Sequence, residues 1–256
     1  MTDQVCYEML RPAQAVARRR ACPLAYLPVG TIEFHGRHNP LGLDGLQAHG
    51  VCELAARRGG GLVFPVVWYG ENRASHLAEV NAPGRTAVAR EMDLPPENFG
   101  PETMGGRSAE VQSVGYQQLL FHIYHQIRSL GFEAIYVLVG HGPLREYIAL
   151  TTMVFERETG VKMDFSYTTE LVEGVEQDHG ARVETGTMMA LRPDLVDLSE
   201  LPDGDASQIV GVGGSDPREG AEAFGSRFVP ACVEALASRG KSLLDRPPSQ
   251  GALEVT

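Results

Sequence analysis

The chain has 256 residues, 43% hydrophobic and 21% charged, a balance that belongs to a folded globular protein and excludes wholesale disorder or a fibrous repeat. Its 33 acidic against 22 basic side chains give a net charge of -11, which argues against nonspecific binding of nucleic-acid backbones, since that needs basic surface. No apolar run is long enough to span a bilayer, and Met1–Arg20 lacks the apolar core of a secretory signal, so the expected location is the cytoplasm.

In chain order, the apolar run Leu24–Val29, closed by Gly30, predicts a buried strand. A polar loop over 30–44, rich in Gly and His, follows it. Leu46, Val51, Leu54 and Ala55 recur at helical spacing up to Arg57 and Arg58, and Gly59-Gly60-Gly61 ends that helix. Leu62–Trp68 reads as the next strand, although Pro65 inside it cannot donate to a ladder. Gly70–Gly106 is a long loop rich in Pro, Gly and Asn, and loops of that length carry function. Val111, Val114, Leu119, Ile123 and Ile127 mark one stripe of a helix over Ser108–Leu130, closed by Gly131. Ala134–Val139 is a strand ending in Gly140-His141-Gly142. Pro143 opens a helix to about Glu158, and Val161–Tyr167 is a further strand. An acidic loop, Thr168–Val183, leads to a helix over Glu184–Leu191. Asp216, Pro217 and Glu219 have the pattern of a capped helix start, with that helix running through Ala237. A polar tail, 241–256, is expected to be loosely held. Strands alternating with helices predict a single α/β domain over 1–256, with a mostly parallel sheet. In such folds ligands bind beyond the carboxyl ends of the strands. The four cysteines (Cys6, Cys22, Cys52, Cys232) form no CxxC pair and read as reduced thiols.

The densest chemistry lies in Gly30–Asp44, where Glu33, His35, His38 and Asp44 offer four potential metal ligands. Imidazole and carboxylate together suit zinc, manganese or iron. Glu33 and His35 are two apart, so an extended segment aims both the same way. Singly, each has an ordinary reading; Asp44, for example, is a favoured helix N-cap. His141 lies between two glycines, which let backbone approach a ligand closely. In Asp178-His179-Gly180-Ala181-Arg182-Val183-Glu184, the carboxylate of Glu184 is either favoured by the helix dipole or a metal ligand, with His179 an acid–base group.

These motifs, with Leu27-Pro-Val-Gly-Thr-Ile-Glu33-Phe-His35-Gly36-Arg-His38-Asn-Pro-Leu-Gly-Leu-Asp44 the most specific, resemble the creatininase (creatinine amidohydrolase) family over roughly residues 24–240. The order continues with Gly140-His141-Gly142, His179-Gly-Ala-Arg-Val-Glu184-Thr185 and Gly214-Ser-Asp216-Pro217-Arg218. The resemblance implies a three-layer α/β/α sandwich and two divalent metal ions (Zn, Mn or Fe). Glu33 and His141 would hold one ion, and His35 and Glu184 the other. Asp44 would bridge both, with a water or hydroxide between them. His179 would be the proton donor and Asp178 its acidic neighbour. It also implies a closed homo-oligomer, with a hexamer among the expected assemblies.

Where creatininases carry a ligand Glu two residues past the histidine, this chain has Pro143, so Glu184 supplies the carboxylate. That departure, and the long loop with Arg85, Arg90 and Arg107, point away from creatinine and toward an acidic small molecule. The expected activity is metal-dependent hydrolysis of a C–N bond (amide, cyclic amide or formamide) in a small polar substrate. The alternatives are hydrolysis of a ring C–C bond next to a ketone, cleavage of a peptide in cofactor maturation, and a catalytically idle scaffold. A Rossmann nucleotide site is disfavoured, because no GxGxxG opens a helix.

Overall fold

A computed structural model describes residues 3–70, 77–80, 84–100 and 108–247. Four parallel strands, β1 (Leu24–Val29), β2 (Leu62–Val63), β3 (Ala134–Val139) and β4 (Lys162–Tyr167), lie in the order β2-β1-β3-β4. Leu24 pairs with Ala134 and Val29 with Val139, so β1 and β3 end level with one another. Every residue of these two strands is buried, as near-continuous apolar runs require when helices cover both faces of a sheet.

The helices are α1 (Pro12–Ala21), α2 (Leu43–Gly59), α3 (Gly84–Glu91), α4 (Ala109–Ser129), α5 (Arg145–Thr159), α6 (Arg182–Leu191) and α7 (Ala221–Asp245). Strand alternation divides the core into two. Leu24, Tyr26, Tyr136 and Leu138 pack with Val51 and Cys52 of α2 and Phe228, Cys232 and Leu236 of α7. Ala25, Leu27, Ile135 and Val137 pack with Leu120 and Tyr124 of α4 and Ile148 and Phe155 of α5. The result is the expected three-layer α/β/α sandwich. No helix among the described residues is long and apolar enough to cross a membrane, and all four cysteines are free.

Several local expectations are corrected. The strand expected over Leu62–Trp68 is laddered only at Leu62–Val63. Pro65 lacks the N–H needed to continue, and pairing resumes as a single bridge between Val29 and Val67. On α4, Val111, Val114 and Leu119 are exposed, whereas Tyr116, Leu120, Tyr124 and Ile127 are buried. Tyr124 can take the inner face because its buried ring satisfies its hydroxyl; Tyr124 Oη lies 3.2 Å from Thr151 Oγ1. The region expected to be loop over 70–106 contains α3 and a short 3-10 helix, Pro96–Phe99; His76, Asn72 and Arg107 lie outside the described residues. Asp216 caps a turn, accepting from the Arg218 N–H at 2.9 Å. The last helix starts after Gly220, whose φ of 75° is left-handed. That helix also outruns its expected end. Leu243, inside the region expected to be a loose tail, is buried; residues 248–256 are outside the described set.

Helices α6 and α7 meet backbone to backbone. A Cβ added at Gly225 would overlap the carbonyl oxygen of Gly186, and one at Gly186 would overlap that of Ala221. Gly225→Ala is expected to cost about 3 kcal/mol, the upper range for overpacking, read as a lower midpoint in urea unfolding.

Candidate metal centre

The level ends of β1 and β3 create the site. Each strand is followed by a glycine, and the Gly140 N–H donates to the Val29 carbonyl at 2.8 Å. A Cβ at Gly30 would overlap the backbone of Gly45, and one at Gly140 would overlap Asp44 O. These two glycines let the first turn of α2 settle on the strand ends. Gln47 Nε2 secures the seat by donating to Gly140 O at 3.1 Å. Asp44 is thereby held between the loop after β1 and the residue after Gly140. The N-cap position of α2 is Gly42, which has no side chain to cap with, so Asp44 is not the cap that its position in sequence allowed.

Five expected residues converge there, all buried. Asp44 Oδ1 lies 3.2 Å from His35 Nε2, and Asp44 Oδ2 lies 3.0 Å from His141 Nδ1. Glu33 Oε2 is 3.1 Å from His141 Nδ1. Glu184 Oε2 is 3.6 Å from His35 Nε2. Two sets overlap at Asp44, Glu33–Asp44–His141 and His35–Asp44–Glu184, each close enough to share one ion, and a third set, Glu33–His35–His179, brings in His179 at the edge.

The chemistry of the donors fits cations. His35 Nδ1 stands 3.1 Å from the Glu33 carbonyl oxygen. A carbonyl only accepts, so Nδ1 carries the proton and Nε2 faces the carboxylates, the arrangement by which ligating histidines are usually oriented. Neither Asp44 oxygen nor Glu33 Oε2, all buried, receives a well-aligned hydrogen bond. Burial pulls the His35 imidazole down, but Asp44, Glu184 and Glu33 outweigh it and push it up to about 10. Burial lifts the Glu184 carboxyl above its usual range despite His35. Burial opposes ionisation of Asp44 and Glu33 too, yet the imidazoles beside them hold both low. A pocket that draws protons onto its ligands in this way is one that divalent ions can enter by displacing them.

The long loop reaches this cluster. The Ala78 N–H donates to Glu33 Oε1 at 2.6 Å, and the Phe34 N–H donates to Glu79 at 3.4 Å. Arg85 donates to the Val80 carbonyl at 2.9 Å and so braces that loop; Arg90 is exposed. His38 is turned out of the cluster, with its Nε2 3.0 Å from Thr185 Oγ1; burial lowers it to about 4, which keeps it neutral. Asn39 and Gln47, which tie the loop and the helix in place, are missed by the sequence reading, since neither stands in a ligand-like pattern.

His179 joins the cluster edge, its ring 4.2 Å from that of His35 between centroids. Its Nε2 is 3.0 Å from the Phe34 carbonyl, and its backbone is paired in both directions with Gly213. Asp178, the expected acidic neighbour of the proton donor, is engaged with backbone instead of the His179 ring. Burial and the neighbouring His35 lower the pKa of His179, and the Asp178 carboxylate is occupied with backbone. It accepts from the Val183 N–H at 2.7 Å and the Glu184 N–H at 3.1 Å, while Glu184 Oε2 accepts from the Gly180 N–H at 2.7 Å. Asp178 therefore satisfies the start of α6 and fixes Glu184. Asp178→Ala is expected to cost about 1 kcal/mol of stability, as lost caps do. It should also weaken zinc binding by about 10–100-fold, as loss of ligand support does, measured by titrating zinc into stripped protein.

The family model described as creatininase, creatinine amidohydrolase, matches residues 8–239. A creatinine amidohydrolase of Pseudomonas putida is 27% identical over 190 residues, which cover 69% of this chain and 67% of that protein. Among solved structures, a manganese creatininase superposes with a TM-score of 0.72 at 21% identity, covering 96% of this chain and 100% of that one. A zinc–zinc form of a mutant creatininase gives 0.71 at 22% identity, again covering 96% and 100%.

Proposed function

The chain belongs to the creatininase family, and from that premise we propose that it is a two-metal hydrolase cleaving a C–N bond in a small polar molecule, namely an amide, cyclic amide or formamide. The observation that carries the reading is Asp44, whose two carboxylate oxygens face two different imidazoles at 3.2 and 3.0 Å. A carboxylate so shared is what a pair of adjacent ions requires. Glu33 and His141 would hold one ion, His35 and Glu184 the other, and Asp44 both. Bound there, two divalent ions (zinc, manganese or iron) lower the pKa of water and polarise a carbonyl.

The protein's own groups do the rest. Three carboxylates offset most of the charge of two dications, and the buried walls keep the site's electrostatics strong. His179, beside His35 at the cluster edge, moves the proton. It delivers a proton to the leaving nitrogen, which cannot depart as an anion. The residues after His141 favour a substrate other than creatinine. Pro143 offers no polar side chain to a substrate, Leu144 is buried in the core, and Gln177 lies against Gly142.

The same reading makes the protein a cytoplasmic homo-oligomer. Free thiols accord with a reducing compartment. Val111 and Val114 on α4 and Leu150 and Met153 on α5 leave apolar surface exposed for a second copy. The test is to strip the protein of metal, restore zinc or manganese, and screen amides, lactams and formamides for release of amine. Turnover that returns with metal is expected; metal-loaded protein that turns over only ketones or peptides would overturn the C–N assignment.

A further inference from the structure

A second group of metal-type donors lies on another side of α2, apart from the cluster around Asp44. Cys6 belongs to the N-terminal segment that runs beside β2; it bridges to Val63, whose N–H donates to the Val5 carbonyl at 2.9 Å. His49 and Glu53 are four residues apart on α2, so they share one face of that helix. Cys6 Sγ lies 3.0 Å from Glu53 Oε1 and 3.8 Å from His49 Nε2, and His49 Nδ1 lies 3.9 Å from Glu53 Oε2. Taking one donor atom from each residue, the three lie within 4.8 Å of one another, close to the tetrahedral edges of about 3.4–3.6 Å that metal bonds of about 2.0–2.3 Å to N, O and S give. Cys6 is buried while His49 and Glu53 are each about a quarter exposed, so the group is anchored on one side and open to solvent on the other.

We propose that Cys6, His49 and Glu53 form a third metal site, of the sulfur–nitrogen–oxygen type that takes zinc-class ions, with its fourth position open to water. Thiolate and imidazole select borderline-soft ions over magnesium or calcium. The thiolate and the carboxylate bring two negative charges, which neutralise a dication. Arg57, which donates to Glu53 Oε1 at 3.1 Å, keeps a second partner in Asp3 at 3.4 Å. Binding forms a metal–sulfur bond and releases the thiol proton to solvent. Burial and Glu53 push the thiol up to about 12, so uptake grows as pH rises. The site joins the N-terminal segment to the helix that carries Asp44, and an ion there clamps the two together.

The test is cobalt(II) loading of the whole protein. The cluster around Asp44 contains no sulfur, so a thiolate-to-cobalt charge-transfer band in the near ultraviolet reports the third site even if the function proposed above fails. The band is expected in the wild-type protein, absent in C6S and in His49→Ala, and retained in C232S. Hydrolytic activity in His49→Ala should match the wild type, since His49 is outside the reacting cluster. No band in folded wild-type protein, or a band that survives both C6S and His49→Ala, would overturn the proposal. If C6S fails to fold, His49→Ala decides alone.

Discussion

Asp44→Asn is expected to abolish hydrolysis, with kcat/KM lower by at least about three orders of magnitude, or about 4 kcal/mol of transition-state stabilisation. The substitution keeps the volume of the side chain and removes its charge. Both oxygens of Asp44 face imidazoles, one from each donor set, and Asp44 belongs to both sets. An amide nitrogen cannot ligate a cation as a carboxylate oxygen does, so one ion loses its shared ligand whichever way the amide turns. Metal content should fall below two per chain at the Asp44 cluster, while the circular dichroism spectrum stays unchanged, because Asp44 caps nothing. An Asp44→Asn protein with near-normal turnover and full metal content would remove Asp44 from the metal centre.

His179→Ala is expected to lower kcat by about 10²–10⁴-fold, the range for general acid–base catalysis, with metal content intact. The ring rests on His35 and its Nε2 bonds a backbone carbonyl, so removing it leaves all five proposed ligands in position. The leaving group distinguishes a proton-transfer role from a structural one. Substrates whose amines leave readily without protonation should be impaired much less than ordinary amides. Equal impairment of both would assign His179 a merely structural part, and loss of metal would make it a ligand.

Much of this was legible in the residues. Leu24–Val29 and Ala134–Val139 announced the two central strands with their bounds, because both-face burial writes itself as an unbroken apolar run. Glu33, His35, Asp44, His141 and Glu184 were legible as one set only through the resemblance; spacing alone left Asp44 open as a helix cap. What the sequence could not convey is tertiary. The glycines after β1 and β3 reveal their purpose only once the first turn of α2 sits on them. Asp178 beside His179 in sequence suggested an ion pair, yet the carboxylate is taken by the unpaired N–H groups of α6. Aliphatic spacing on α4 pointed to the wrong face because two tyrosines, Tyr116 and Tyr124, do much of the packing.

Whether two ions share Asp44 is tested most directly by anomalous diffraction from crystals of the zinc- or manganese-loaded protein, recorded at the metal's absorption edge. Two peaks flanking the Asp44 carboxylate are predicted, one within bonding distance of Glu33 and His141 and the other of His35 and Glu184. A single peak, or a pair in which any of these five residues ligates neither ion, would contradict the shared-carboxylate centre.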